Sequence, residues 1–266
     1  MRHALTIAGS DSSGGAGIQA DLKTFAAFRV YGTCAITAVT AQNTLGVTTA
    51  APLSADLVTA QIEAIAGDIR IDATKIGMLA TAAIVEAVAS AIEELDLPIV
   101  VLDPVMVSSS GERMLDEDGV QALRVELLSR ARVVTPNIPE AEVLSGCRIV
   151  SSDDRRRAAE RIHDFGAAAV VITGGHGDGA DVIDLLFDGR SFTEHKTPRA
   201  GAGGDHRIHG TGCAFASALA AGLALGEPLD VAARRAQRYV AGAIAHGVAI
   251  GHGARVLDHF WQTRSG

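Results

Sequence analysis

Short apolar runs recur along the chain, each followed by a stretch with helical spacing. The clearest run, Ile99–Asp103, is apolar until it ends in an acidic residue, and Val133–Thr135 and Ala168–Thr173 are similar. Residues with apolar spacing of three and four positions separate these runs. Strands that are apolar on both sides suit a parallel sheet covered by helices on both faces. The sequence therefore predicts an α/β fold with a mostly parallel central sheet.

The pattern changes after residue 180. Val182–Phe187 and Ser191–Lys196 flank the dipeptide Asp188-Gly189, which is typical of a tight β-hairpin. We therefore expect one antiparallel hairpin late in the chain. No linker, composition break or internal repeat divides the 266 residues. We expect a single domain over residues 1–266.

Composition and charge disfavour several classes of partner. The net charge is −8 and aromatic residues make up 4%, so a basic, stacking surface for nucleic acid is not expected. No apolar run reaches the roughly 18 residues of a transmembrane helix, which disfavours a membrane protein. The first residues, Met1–Gly9, lack the apolar core of a signal peptide. Three cysteines provide no disulfide framework, so we expect a cytoplasmic location.

Ligands of open α/β sheets bind at the carboxyl ends of the strands. The loops that follow predicted strands are therefore the first places to search. These loops come after Ala8, Gln42, Gly77, Asp103, Thr135 and Thr173.

The first of these loops, Gly9–Gly17, is rich in glycine and serine. Glycines allow backbone to approach a ligand closely. Residues Gly15–Ala20 formally match a dinucleotide fingerprint, but the glycines come about seven residues after the strand. Gln42 also stands where that fold needs an acidic residue. A phosphate-binding P-loop is disfavoured because no lysine follows. A plain connecting loop remains the alternative.

His209–Cys213 gives the strongest local signal, because two glycines and a threonine precede a long apolar helix. The free N–H groups and the dipole of such a helix N-terminus favour an anion. Gly210, Thr211 and Gly212 could therefore stabilise charge that develops in a reaction. Cys213 lies in the same field, which favours a thiolate that acts as base or nucleophile. The alternative is a helix cap followed by a buried structural cysteine.

Three further positions carry carboxylates or an amide near predicted strand ends. Asn137 and Glu140 could hold a hydrated Mg²⁺ beside phosphates, or they could form the capping box of a helix. Asp103 could supply a carboxylate near the metal, or it could be an ordinary acid at a strand end. Asp21 lies one turn into the helix after the glycine loop, and a solvated helix acid is its alternative.

Taken together, these stretches closely resemble the hydroxymethylpyrimidine/phosphomethylpyrimidine kinases of thiamine biosynthesis, which belong to the ribokinase-like superfamily. The resemblance runs in order from about Ala4 to Phe260. The motifs that carry it are Leu5–Asp11 with Gly14–Thr24, Lys75–Leu79, Val101–Met106, Thr135–Ala141, Gly174–His176 and His209–Cys213.

The resemblance implies a ribokinase-like three-layer fold and two phosphorylations by ATP with Mg²⁺. The first acceptor is 4-amino-5-hydroxymethyl-2-methylpyrimidine and the second is its monophosphate. It places Gly210, Thr211 and Gly212 in an anion hole and makes Cys213 the general base. It also implies a homodimer as the fold-level expectation. The residues matched to pyrimidine contacts are Gly9, Asp21, Gln42 and Met78, with Val105 nearby; those matched to MgATP are Asp103, Asn137, Glu140 and Thr173, of which Asn137 and Glu140 hold the metal through water.

Three departures from the family pattern leave alternatives open. Gln42 stands where many members carry Glu, so a pyridoxal or pyridoxine kinase of the same fold is one alternative. Thr173 replaces a frequent Lys, and the segment Gly201–Asp205 adds a few residues before the anion hole, which suggests a longer, mobile flap over residues 201–209. A non-catalytic pyrimidine-binding module is the other alternative.

Overall fold

The computed structural model describes residues 1–108, 111–175, 177, 179–200 and 208–263. The strands in those ranges are β1 (His3–Asp11), β2 (Tyr31–Asn43), β3 (Gly46–Pro52), β4 (Ala73–Ile76), β5 (Val100–Leu102), β6 (Val133–Val134), β7 (Val170–Ile172), β8 (Asp181–Phe187), β9 (Phe192–Pro198), β10 (Ile208–His209) and β11 (Arg255–Val256). The α-helices there are α1 (Gly17–Ala27), α2 (Ala55–Ala66), α3 (Ala82–Glu94), α4 (Glu117–Ala122), α5 (Ile138–Ser145), α6 (Ser152–Asp164), α7 (Thr211–Ala224) and α8 (Leu229–Ala245).

One large sheet organises the described part of the chain, in the order β3-β2-β1-β4-β5-β6-β7-β8-β9. The six strands from β2 to β7 in that order run parallel. At the two edges, β3 pairs antiparallel with β2, and β8 and β9 form an antiparallel hairpin beside β7. The predicted parallel sheet and the late hairpin are both confirmed.

Two hydrophobic cores lie on the opposite faces of this sheet. Alternate strand residues divide between them, as Leu102 and Val101 show. The first core contains buried residues of α2, α3, α5 and α6, and the second contains those of α1, α7 and α8. This is the predicted three-layer arrangement. In the described ranges, no helix is both long enough and apolar enough to cross a membrane.

Side-chain caps set the start of several helices. The side chains of Ser54 and Thr81 each accept an N–H from the first turn of the following helix. Asp116, Asn137 and Ser151 do the same for α4, α5 and α6. Such caps satisfy N–H groups that have no partner inside the helix.

The sequence misplaces or misses some elements. Strand β3, Gly46–Pro52, is missed because it is an exposed edge strand without an alternating apolar pattern. The sequence predicts one helix over Asp118–Leu128, and this is wrong in its second half, where Leu123–Leu127 forms a π-helical turn. Strand β1 extends to Asp11, so part of the predicted glycine loop is strand.

Candidate active site

The N-terminus of α7 lies beside the end of β5. Gly210 has a φ of +86° immediately before α7, and a side chain there would overlap the carbonyl oxygen of Gly15. Only glycine fits this backbone conformation and close approach without strain. A Cβ atom on Gly212 would lie 3.9 Å from both carboxylate oxygens of Asp103. The first N–H groups of α7 therefore open toward a strand end that carries an acidic side chain.

Asp11, at the end of β1, holds the glycine loop in shape. Its carboxylate accepts the backbone N–H groups of Ser13, Gly15 and Ala16 at 2.8, 3.1 and 2.8 Å. His209 Nε2 lies 2.9 Å from Asp11 Oδ2. Burial opposes ionisation, but the bonds from His209, Ser13 and Ala16 lower the pKa of Asp11 to about 2. Asp11 and His209 thus fasten the glycine loop to the residue that precedes Gly210.

His209 also reaches the end of β2 and the C-terminal segment. The side-chain amide of Gln42 lies 2.8 Å from His209 Nε2. In the backbone, Ile208 and His209 form β10, which pairs parallel with Arg255 and Val256 of β11. Residues distant in sequence therefore meet at His209.

A small apolar cluster lies at the carboxyl ends of the central strands. We call it the Met78 cluster; it contains Ala38, Met78, Ala80, Val105 and Met114. Gly9 lies against it, since a Cβ atom there would come 2.9 Å from Met78 Sδ. The structure thus brings together Gly9, Met78 and Val105, the three uncharged residues that the resemblance assigns to the pyrimidine apart from Gln42. Their contact with a ligand stays a prediction.

Asp21 belongs to a fully buried ion pair close to Cys213. Its Oδ2 lies 2.9 Å from Lys75 Nζ, and neither side chain is exposed. Thr6 and Ser217 donate to the Asp21 carboxylate at 2.6 and 2.7 Å. The alternative of a solvated helix acid is therefore wrong. A pyrimidine contact for Asp21 stays a prediction, with both oxygens already bonded to protein groups.

Cys213 differs from the sequence expectation in its protonation. Burial, Asp103 and Asp21 raise the pKa of the Cys213 thiol to about 12, although Lys75 acts in the opposite direction. The helix dipole supplies only about half a charge, which does not offset the burial of the thiol. The expected thiolate is therefore wrong for the ligand-free protein. Instead, the thiol hydrogen-bonds to Asp103.

Asp103 and Glu140 form a second group of carboxyls near the same helix. Burial raises the pKa of Asp103 to about 6, against the attraction of Lys75. Burial and the charge of Asp103 raise the pKa of Glu140 to about 8. Among the described residues, nothing donates a hydrogen bond to the buried Oδ2 of Asp103. Two repelling carboxyls and one unbonded oxygen fit a hydrated divalent cation.

Asn137 and Glu140 form the capping box that was the alternative to a metal site. Asn137 Oδ1 accepts the N–H of Glu140, and Glu140 Oε2 accepts the N–H of Asn137, both at 2.9 Å. Glu140 also accepts the backbone N–H of Met106, which ties it to the loop after Asp103. The cap shows how both residues are held, and their metal role stays a prediction. The described residues contain no cluster of three or more His, Cys, Asp or Glu side chains arranged for a metal ion.

Thr173 lies at the end of β7, next to Asn137. Its N–H donates to Pro136 O at 2.9 Å, and the two residues Asn137 and Thr173 form a β-bridge. The next residue, Gly174, donates its N–H to Asp184 Oδ1 at 2.7 Å. These bonds place Thr173 at the same edge as Asn137, and its nucleotide contact stays a prediction. His176 and Gly201–Asp205, including most of the expected flap, lie outside the described residues.

Sequence reasoning missed the roles of Lys75, Asp11 and His209. Lys75 offered a signal, because it is a lysine inside an otherwise apolar four-residue strand, Ala73–Ile76. A charge in such a strand needs a buried partner. Asp11 and His209 gave no such signal, because these two residues contact each other across 198 positions of the chain.

Comparison with known proteins gives one consistent result. A family model described as phosphomethylpyrimidine kinase matches residues 11–258. The chain is 46% identical to a hydroxymethylpyrimidine/phosphomethylpyrimidine kinase of Bacillus subtilis, over 97% of this chain and 94% of that protein. It is also 46% identical to one of Haemophilus influenzae, over 99% and 98%.

Solved structures agree with the sequence matches. The fold is similar to a pyridoxal kinase of Bacillus subtilis in an ADP complex, with a TM-score of 0.89, 38% identity and 99% of each chain covered. It is also similar to a phosphomethylpyrimidine kinase of Clostridium difficile, with a TM-score of 0.81, 39% identity, and coverage of 92% of this chain and 100% of that chain.

Proposed function

The chain belongs to the phosphomethylpyrimidine kinase family, and from that premise we propose that it phosphorylates 4-amino-5-hydroxymethyl-2-methylpyrimidine and then its monophosphate, with MgATP as donor. It is a kinase, so the non-catalytic binding module is not retained. The single-domain organisation, the homodimer and the cytoplasmic location remain predictions beside this proposal.

The observation that carries the proposal is the meeting of three groups at one sheet edge. The Met78 cluster offers an apolar floor for a flat ring. The N-terminus of α7 offers N–H groups, and its Gly212 faces Asp103, which lies two residues before Val105 of that cluster. Phosphoryl transfer depends mainly on positioning and charge neutralisation. An apolar site, an anion hole and carboxyls within one edge supply both.

The proposed anion hole consists of the backbone at Gly210, Thr211, Gly212 and Cys213. Because Gly210 abuts Gly15, the glycine loop limits movement of this turn. Fixed N–H donors aimed at a transferring phosphoryl group stabilise charge without reorganisation during the reaction. Gly212 lacks a side chain and is exposed, so an anion can approach the helix end directly.

Cys213 remains the proposed base, with Asp103 as the final proton acceptor. A thiol whose pKa is raised to about 12 keeps its proton at neutral pH, so it can accept the hydroxyl proton only as it gives up its own. Its hydrogen bond to Asp103 gives that proton a path. As the hydroxymethyl oxygen forms its bond to phosphorus and the bond to the ADP oxygen breaks, the hydroxyl proton passes to Cys213 sulfur. The Cys213 proton passes to Asp103 in the same step.

Asn137 and Glu140 are the proposed residues for Mg²⁺, through water. When bound with the nucleotide, Mg²⁺ neutralises phosphate charge. Glu140, fixed by the N–H groups of Asn137 and Met106, is oriented for this before any ligand binds. A cation near Asp103 would give its unbonded Oδ2 a favourable electrostatic partner.

An ADP-release assay with MgATP tests the proposal on four acceptors in parallel: hydroxymethylpyrimidine, its monophosphate, pyridoxal and pyridoxine. We expect turnover with both pyrimidines. We expect Cys213→Ala to lower kcat by about 100-fold or more, in the range of one general base. Cys147→Ala is the matched control, because Cys147 is a similarly half-buried free cysteine that lies outside the site. Wild-type rates in Cys213→Ala would exclude the assigned base.

Pyridoxal or pyridoxine kinase activity is the second candidate. Gln42, an uncharged amide, lies at the site edge beside His209. The structural similarity to pyridoxal kinases at 36–38% identity fits that candidate too. Turnover of the vitamin B6 alcohols alone, without either pyrimidine, would favour it over the main proposal.

A further inference from the structure

His209 Nε2 lies between two side chains that make different demands on it. It is 2.9 Å from Asp11 Oδ2 and 2.8 Å from the side-chain amide of Gln42. His209 and Asp11 are both buried, so solvent does not compete strongly for these contacts. The hydrogen that Nε2 carries, or lacks, must satisfy both neighbours.

Asp11 decides the state of that nitrogen. Its Oδ2 accepts bonds from Ser13 Oγ, Gly15 N and Ala16 N at 2.9, 3.1 and 2.8 Å. An oxygen with this many donors is an ionised acceptor, which agrees with a pKa lowered to about 2. An ionised carboxylate offers no hydrogen. His209 Nε2 therefore carries a hydrogen and donates it.

The Gln42 amide must then present an oxygen to His209. With Nε2 of Gln42 at 2.8 Å, two donors would face each other. A 180° turn of the amide exchanges its two ends in nearly the same positions. After that turn, the Gln42 NH₂ group occupies the position 3.2 Å from Thr40 Oγ1, which itself donates to Ser10 O. Every group then has a partner of the opposite kind, with the single Nε2 hydrogen of His209 shared between Asp11 Oδ2 and the Gln42 oxygen.

The NH₂ end lies on the strand face that leads to the Met78 cluster. Side chains at alternate positions of a strand share one face, so Ala38, Thr40 and Gln42 form a row on β2. Ala38 packs in the Met78 cluster, and Thr40 contacts Gln42. The amide hydrogens that Thr40 does not use are therefore available to a ligand above that cluster.

We propose that His209, held by Asp11, is a positioning residue that fixes Gln42 with its oxygen toward His209 and its NH₂ group toward the substrate. Gln42 then recognises a hydrogen-bond acceptor, such as a ring nitrogen, and gives no acceptor to the exocyclic amine of the pyrimidine. A glutamate at this position would do the reverse, since a carboxylate accepts from both His209 and an amine. The inference rests on the proposed function of the site.

The kinetic test compares two acceptors that differ only in the 4-amino group: 4-amino-5-hydroxymethyl-2-methylpyrimidine and its 4-deamino analogue. The readout is the ratio of their kcat/KM values, amine over analogue. A general defect of the anion hole lowers both values and leaves this ratio unchanged. In His209→Met the amide is free to turn its oxygen outward, so we expect the ratio to rise about three- to tenfold, the range of one neutral hydrogen bond.

Three variants complete the pattern. His209→Gln retains a donor at the end of a side chain of similar length, and we expect it to keep the wild-type ratio. Gln42→Glu should raise the ratio as His209→Met does. The double variant His209→Met/Gln42→Glu should show no further rise in this ratio, because the Glu carboxylate already faces the amine. An unchanged ratio in His209→Met would overturn the proposal.

A second measurement does not depend on turnover. Selective ¹⁵N labelling of glutamine, with Gln42 assigned by its loss in Gln42→Glu, gives the side-chain NH₂ signals of the wild-type protein. We expect nuclear Overhauser contacts from these hydrogens to Thr40 and none to the His209 ring. Contacts to the ring instead of Thr40 would overturn the inference even if the protein phosphorylates pyrimidines. Absence of turnover with every acceptor, together with the expected contacts, would count against the proposed function alone.

Discussion

Lys75→Met tests whether the buried ion pair below Cys213 is needed for stability. Lys75 and Asp21 have fully buried side chains with 2.9 Å between Nζ and Oδ2. Removing one partner of a buried pair costs about 3–5 kcal/mol, because the other charge stays buried. Thr6 and Ser217 still donate to Asp21, which places the expected loss near the lower end, about 3 kcal/mol. In thermal unfolding this corresponds to a fall in Tm of about 6 °C or more.

The stability of the buried pair depends on both partners together more than on either residue alone. Asp21→Asn should also destabilise the protein, because it leaves the ammonium without its carboxylate. The double variant Lys75→Met/Asp21→Asn carries no buried charge at this point, so its loss should be well below the sum of the two single losses. Urea unfolding of all four proteins gives the coupling free energy. Additive losses would refute the argument.

A surface pair provides the matched control. Lys196 and Asp181 also lie 2.9 Å apart, but the Lys196 side chain is 63% exposed. Exposed pairs contribute about 0–1 kcal/mol, so Lys196→Met should leave the free energy of unfolding nearly unchanged. A loss as large as that of Lys75→Met would show that burial is not the cause.

Substitutions at Gly210, Asp11 and His259 have further expected outcomes. Gly210→Ala should abolish most activity, because φ is +86° and the carbonyl of Gly15 blocks a side chain. Gly226→Ala is the control, because Gly226 has a φ of +87° but open space around it. It should cost only about 1 kcal/mol of stability and leave kcat unchanged. Because its pKa is lowered to about 2, ionised Asp11 stabilises the fold by about 2 kcal/mol above pH 4, and this stabilisation is lost as pH falls toward 2. In urea unfolding, the free energies of unfolding of Asp11→Asn and wild type should therefore converge between pH 4 and pH 2. Burial lowers the pKa of His259 to about 4, so stability should fall by about 3 kcal/mol between pH 6.5 and 4, and His259→Gln should flatten that dependence; an equally steep profile in the variant would count against it.

Most of the fold could be predicted because it depends on local patterns. Continuous apolar strands indicated the parallel sheet, and Asp188-Gly189 indicated the hairpin between β8 and β9. Strand β3 could not be predicted in this way. Its residues are exposed, and it forms because β2 offers an open edge, which is a property of the folded sheet.

The candidate site also combines features that are local in sequence with features that are not. The glycines before α7 are visible in the sequence because a helix N-terminus is a local feature. The protonation of Cys213 is not local, because it depends first on burial in the folded protein and then on Lys75, Asp103 and Asp21, which lie far from it in sequence. The link between His209 and Gln42 joins positions 167 residues apart, so it needs coordinates.

The pairing of β10 with β11 ties the site to the end of the chain. His209 pairs with Val256, and a Cβ atom on Gly15 would lie 3.1 Å from Val256, so all three meet. During synthesis the sheet strands β1 to β9 emerge before residue 256. The pairing of His209 with Val256 can form only after residue 256 has left the ribosome. A chain released without its last dozen residues would keep every strand of the large sheet and lose the β10–β11 pairing beside the site.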